Sequence, residues 1–283
     1  MQKLFNKILV PVNFNRNTGL VMDKAIQIAN FFSCDIHLLH VQTPNSVVPF
    51  LYDGRFTGSF VQTSNANLVN QLQELEAQCR VKLKDGLLIR STVVSGHWFA
   101  AMKETIISSH IDLVIIPKAR RKFASSLIQR IDLDKLSLQT KCPILTVTRS
   151  FNAGHLQNIV VPVHDFLPVK KLSIATYLSS RNDSRIHLMG SGHDSNGKSA
   201  ESSCLHKAYH LLSDYSNVRI HCALPANTDS PANTLSYAKT INADLIVVNT
   251  GKESLFRGWW NKLVKKYLYK ESDIPVLTIA PQP

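Results

Sequence analysis

The sequence predicts an α/β protein made of two tandem doubly wound domains, residues 1–150 and 151–283, each a five-stranded parallel sheet flanked by helices. Three observations lead there. First, the chain repeats itself. KILVPV at Lys7–Val12 returns as NIVVPV at Asn158–Val163, and DIHLL at Asp35–Leu39 returns as RIHLM at Arg185–Met189. IDLVII at Ile111–Ile116 returns as ADLIVV at Ala243–Val248, and CPILTV at Cys142–Val147 as IPVLTI at Ile274–Ile279. Matches in one order imply duplication, with a junction near Ser150–Leu156, where Asn152 and Gly154 suit a turn. Second, each repeated block is a run of Val, Ile and Leu without alternation, as a strand buried on both faces of a parallel sheet requires. Third, segments of helical period separate the blocks, which gives βαβ units with right-handed crossovers.

In order along the chain, strands are expected near 7–13, 35–41, 87–94, 111–117 and 142–148, then near 158–164, 184–190, 217–223, 243–249 and 274–280. Leu68, Leu72, Leu75 and Cys79 recur at three to four residues and mark a helix, as do Leu235, Ala238 and Ile241, and again Leu263, Val264, Tyr267 and Leu268. Ser95-Gly96-His97, which could be mistaken for a nucleophile beside a base, has no orienting carboxylate and reads as the start of the third helix. Thr43–Asn67 carries Pro44, Pro49, Gly54 and Gly58 and is expected to be a long loop. Its counterpart, Gly190–Ala200, is shorter and more polar; both follow a second strand.

With 283 residues the chain suits two cores that need neither disulfide nor metal. A hydrophobic share of 44% excludes disorder for most of it. No apolar run reaches the roughly 18–20 residues of a membrane span, so no transmembrane segment is expected. The start, MQKLFNKILVPV, lacks a leader pattern, and a cytoplasmic protein is expected. The cysteines Cys34, Cys79, Cys142, Cys204 and Cys222 form no close pair and are expected to be buried, reduced thiols. A net charge of +12 favours acidic partners such as phosphates, nucleic acid or an anionic surface.

A half consisting of a strand ending in VPV, a helix, a strand ending near HV, a variable loop, and then (A/I)DL(I/V)(V/I)(V/I) and (C/I)P(I/V)LT(V/I) resembles the universal stress protein family. The resemblance runs over nearly the whole chain, once per half, and is best at Ala243–Ala280. It implies a universal-stress-protein/adenine-nucleotide-hydrolase-like fold. It also implies pairing through the last strand of each domain, so that the two halves mimic a family dimer in one chain.

Many family members bind ATP through an Asp at the end of the first strand and a sequence of Gly, two residues, Gly, nine residues, Gly, then Ser or Thr. Here the Asp position holds Asn13 in one half and His164, beside Asp165, in the other. The glycine positions hold Pro117, Arg120 and Arg130, and Asn249, Lys252 and Lys262; the Ser/Thr positions hold Ile131 and Leu263. The nucleotide motif is therefore degenerate in both halves, because side chains there would fill the space the phosphates need. The replacements are largely cationic: Lys118, Arg120, Arg121, Lys122 and Arg130, against Lys252, Arg257, Lys262, Lys265 and Lys266. They read either as solvated faces or as a charge-based phosphate site. Open parallel sheets bind ligands at the carboxyl ends of their strands. The cleft candidates are thus Asn13, Val41, Lys118 and Arg120 in the first half, and His164, Asp165, Asn249, Thr250, Gly251 and Lys252 in the second. If either half takes ATP or another adenine nucleotide, the second, with Asp165, Thr250 and Gly251, is favoured.

Phe256, Trp259, Trp260, Leu263, Val264, Tyr267 and Leu268 form an apolar stripe with lysines opposite, read as a helix covering the sheet in preference to a membrane-surface helix. His206 and His210 stand four apart on an expected helix, near Cys204, a spacing that lets two imidazoles meet one metal; a surface helix carrying histidines is the plainer reading, and no metal site is assigned. No GxSxG, GxxxxGK(S/T), HExxH or GxGxxG motif is present. The expectation is a non-catalytic, stress-responsive binding or signalling module with unidentified protein partners and, through the family resemblance, a homodimer as a further assembly. Its alternatives are a polyanion binder with steep salt dependence, a retained nucleotide site, and slow ATP hydrolysis.

Overall fold

The computed structural model describes residues 3–15, 17–42, 51–52, 55–56, 65–118, 132–163, 166–190, 200–224, 231–250 and 272–281. The first half runs β1 (Lys7–Pro11), α1 (Thr18–Phe32), β2 (Asp35–Gln42), two short strands β3 (Leu51–Tyr52) and β4 (Arg55–Phe56), α2 (Asn65–Arg80), β5 (Ile89–Ser95), α3 (Trp98–Ser108), β6 (Leu113–Pro117), α4 (Leu133–Thr140) and β7 (Ile144–Val147). The second runs β8 (Asn158–Pro162), α5 (Val169–Asn182), β9 (Arg185–Met189), α6 (Ala200–Tyr215), β10 (Arg219–Ala223), α7 (Pro231–Thr240), β11 (Leu245–Asn249) and β12 (Val276–Ile279).

Ten of these strands make one sheet in the order β10-β9-β8-β11-β12-β7-β6-β1-β2-β5. Every pairing of this sheet within a half is parallel, and β3 and β4 form a separate antiparallel pair. The halves meet where β12 runs antiparallel to β7, with Val276 opposite Thr146, Leu277 opposite Leu145 and Thr278 opposite Ile144. The Thr146 hydroxyl accepts from the Val276 N–H at 3.1 Å and donates to its carbonyl at 3.2 Å, a side-chain addition to the ladder at the seam.

Helices α1, α2, α5 and α6 cover one face over a core that passes without a break from Ile8, Ile36 and Leu113 to Ile159, Ile186 and Leu245. The opposite face is divided: Leu9, Val114 and Ile144 pack under α3 and α4, while Val160, Ile246 and Val276 pack under α7. On the shared face an apolar cavity of about 20 Å3 lies at the seam, lined pseudo-symmetrically by Leu113 and Leu145 and by their repeats Leu245 and Leu277. Burial of such side chains, at about 25 cal/mol per Å2, is the main stabilising term for both halves.

The Asp of the repeated IDL/ADL block is a brace. Asp112 Oδ2 accepts from the N–H groups of Asn6 at 2.8 Å and Lys7 at 3.1 Å. Asp244 Oδ2 accepts from those of Gln157 at 2.7 Å and Asn158 at 2.9 Å. Each carboxylate therefore satisfies two backbone donors at the entry of its half's first strand. Helices α1 and α5 also end alike, with Ser33 and Asp183 in the left-handed region at φ 57° and 52°.

All ten expected strands of the main sheet form, with ends within two residues of those expected: β2 runs one residue further, β5 starts two residues later and ends one later, and the others are trimmed. The long loop is interrupted by β3 and β4, and α2 begins at Asn65, inside the stretch read as loop. The thiols need a correction: Cys34, Cys79 and Cys142 are buried, but Cys204 is half-buried and Cys222 is exposed, because β10 is an edge strand. The apolar stripe at 256–268 and most of the Gly190–Ala200 loop lie outside the described residues. Among the described residues, no helix is long and apolar enough to cross a membrane.

Candidate functional site

Each half places its first strand between strands reached by opposite crossovers: β1 lies between β2 and β6, and β8 between β9 and β11. The carboxyl ends at these switch points are where open parallel sheets offer a crevice. The register sets Ile8 beside Leu113 and Leu9 beside Val114, so the chain leaving β1 at Asn13 lies next to the chain leaving β6 at Lys118. In the second half Leu245 stands beside Ile159 and Ile246 beside Val160, which puts Asn249 and Thr250 at the corresponding end.

Asn13 is half-buried, and Val41 is buried in the core beneath α3 with Leu39 and Trp98. Lys118 is buried and its ammonium donates to the Ile274 carbonyl of the other half at 2.6 Å. Burial pushes the Lys118 amine down to about 7, against a smaller upward pull from Asp273. Asn249 and Thr250 are buried, and among the described residues the Thr250 hydroxyl has no hydrogen-bond partner. Arg120, His164, Asp165, Gly251 and Lys252 lie outside the described residues. The described candidates therefore share the strand ends, but their side chains serve the core and the seam.

The first-half crevice has members that motif spacing does not flag. Phe14 takes φ 51°, which turns the chain sharply after β1. Its ring stands 5.5 Å from that of His40, which in turn lies 6.3 Å from Trp98. His40 Nδ1 carries its proton and donates to the Val12 carbonyl at 2.9 Å, since a carbonyl can only accept. Gly96, at φ 138°, gives its N–H to Gln42 at 3.0 Å and links β5 to α3. Ser95-Gly96-His97 is thus a strand-to-helix turn with His97 at the cap of α3.

On the α7 side of the second half, His187 is held neutral. The Asn158 amide donates to the Ile241 carbonyl at 3.2 Å, so its oxygen faces His187 and accepts from Nε2–H at 3.1 Å. Nδ1 then accepts from the Tyr237 hydroxyl at 2.9 Å. Burial first, then His221 and Arg185, pushes the imidazole down to about 4.

Two fused, open parallel sheets with a switch point in each, joined through their last strands, define a tandem α/β crevice protein. The sequence profile described as the universal stress protein family matches residues 4–148. The chain belongs to the universal stress protein family. The structure is similar over 98% of this chain and 98% of that one to a universal stress protein from Archaeoglobus fulgidus DSM 4304, with TM-score 0.70 and 13% identity. It is also similar to a functionally unknown protein from Pseudomonas aeruginosa PAO1, over 98% of this chain and 93% of that one, with TM-score 0.63 and 15% identity. At these identities the likeness is one of fold. No curated protein matches the sequence.

Proposed function

We propose that this chain is a cytoplasmic, stress-related binding and signalling module that performs no catalysis and whose nucleotide motif is degenerate in both halves. Membership of the family supports the stress-related role. One observation carries the reading of a degenerate motif. A phosphate cradle needs outward-facing backbone N–H groups in a glycine turn just past the fourth strand of each half. Here Pro117 has no N–H, and the N–H of Lys118 is given to Val147 at 2.8 Å. In the second half Asn249 is buried, and the N–H of Thr250 is given to Ile279 at 2.9 Å. Both strands stay hydrogen-bonded past the position where the turn would begin. The test is phosphate release from excess ATP with magnesium: a flat time course is expected, and release abolished by Lys118→Ala or Lys252→Ala would overturn the reading.

A second reading is favoured by the half-buried rings of Phe14 and His40 beside Asn13: an adenine nucleotide held by stacking and charge, without a glycine cradle. Calorimetric titration with ATP and AMP at near-physiological salt separates the halves. Saturable heat weakened by His40→Ala assigns the ligand to the first half, and heat weakened by Lys252→Ala assigns it to the second. Absence of heat removes this reading.

A further inference from the structure

We propose that His206 and His210 form a two-imidazole site for a late first-row divalent metal ion, Cu2+, Ni2+ or Zn2+, on the outer surface of α6. Both residues are exposed, four apart on one helical face, and their Nε2 atoms lie 3.1 Å from each other. The ring centroids are 4.3 Å apart with planes at 74°.

The bite decides the chemistry. With metal–nitrogen bonds of about 2.0–2.1 Å, two adjacent ligands stand roughly 2.9 Å apart in a square-planar sphere and roughly 3.3–3.4 Å apart in a tetrahedral one. The observed 3.1 Å lies between these, so a metal can seat with small ring rotations. In the metal-free pair a single hydrogen bond requires one Nε2 to carry a proton and the other to be bare; a cation replaces that bond with two and lets both lone pairs point at it.

Three other described histidines contrast with this pair. Both ring nitrogens of His187 are engaged, by Tyr237 and Asn158. His40 gives Nδ1 to a carbonyl inside the fold, and His37 bonds the Thr92 hydroxyl at 3.0 Å. Cys204, two residues before His206, lies roughly 200° around the helix at 100° per residue. It packs against the core, so no thiolate joins the site. Among the described residues no third His, Cys, Asp or Glu gathers with the pair. With no third ligand among the described residues, water is expected to complete the coordination, and the site is open and exchangeable, unlike a closed structural centre.

The test is calorimetric titration of the untagged full chain with Cu2+, Ni2+ and Zn2+, with the electron paramagnetic resonance spectrum of the Cu2+ form as a second readout. One saturable site is expected, tightest for Cu2+, with nitrogen couplings from two imidazoles. His206→Ala and His210→Ala should each weaken it by more than the roughly 10–100-fold that losing an outer-shell partner costs. Cys204→Ser should leave it unchanged. Both histidines are exposed, so the variants are expected to fold, and metal should raise Tm in the parent chain only. Affinity that survives both histidine variants, dependence on Cys204, or no saturable binding overturns the proposal.

Discussion

The two halves share a backbone plan but differ in the chemistry placed on it. Their strand orders are mirror copies across the seam, and Asp112 and Asp244 brace equivalent strands with equivalent bonds. Inside that plan the substitutions are large. Aligning the helix ends Ser33 and Asp183 places Lys171 of α5 where α1 has Val21. Val21 and Lys171 are each only 1% exposed, and the lysine donates to the Pro162 carbonyl. The same alignment puts Ser179 and Ser184 where Ala29 and Cys34 stand, and Ser179 Oγ donates to the Ser184 carbonyl at 2.9 Å. At the seam Lys118 corresponds to Thr250, and only the lysine reaches across the halves. What a doubly wound half requires is its apolar strands and its brace; the helix faces near the strand ends can turn polar if each polar group finds a partner.

The comparison breaks most sharply at Lys171. Lys171→Ala leaves the Pro162 carbonyl without its lysine donor and a cavity in place of the long side chain, and should cost about 3–5 kcal/mol, whereas Val21→Ala removes only packing and should cost about 2 kcal/mol; urea midpoints measure both. It sharpens at the braces. Asp112→Ala and Asp244→Ala each strand two backbone donors and should cost about 1–3 kcal/mol apiece, equally in the two halves. Unequal losses in calorimetric melting would show that one half depends less on its brace.

The last comparison is in pH dependence. With His187 held at about 4 in the fold against 6.5 when free, the unfolded chain takes up the proton first. Stability is therefore complete above about pH 6.5 and declines as pH falls toward 4. His37 is also lowered by burial and adds a slope of the same sign. His187→Gln should flatten the greater part of the decline, read as the urea midpoint at successive pH values; an unchanged slope would place the proton uptake elsewhere.

The strands were legible because a strand buried on both faces must be apolar at consecutive positions, and of the eight central strands between β5 and β10 all but β2, whose burial alternates, are of that kind. Even the half-exposed edge strands were placed to within two residues. The position of the crevice was legible for the same reason, since strand order defines the switch points. Side-chain destinations were not. Lys118 reads as a cleft cation at the end of a strand, but its partner Ile274 is 156 residues away and is brought near only by the β7–β12 register. Lysines are seldom buried, and Lys171 is buried with the Pro162 carbonyl as an acceptor. Phe14, His40 and Trp98 are separated in sequence and meet only because β1 and β2 pair beside α3.

The antiparallel β7–β12 junction has an evolutionary consequence. In an association of identical subunits every interface mutation appears twice, once on each side of the axis. In one chain the two sides mutate independently, and the tether keeps their effective concentration high whatever the cellular abundance of the protein. An unequal lock such as Lys118 reaching Ile274, with Thr250 in the matching position, can then arise in a single step. Covalent fusion thus gives each half a partner that cannot exchange, and lets one crevice change its chemistry while the other keeps its own.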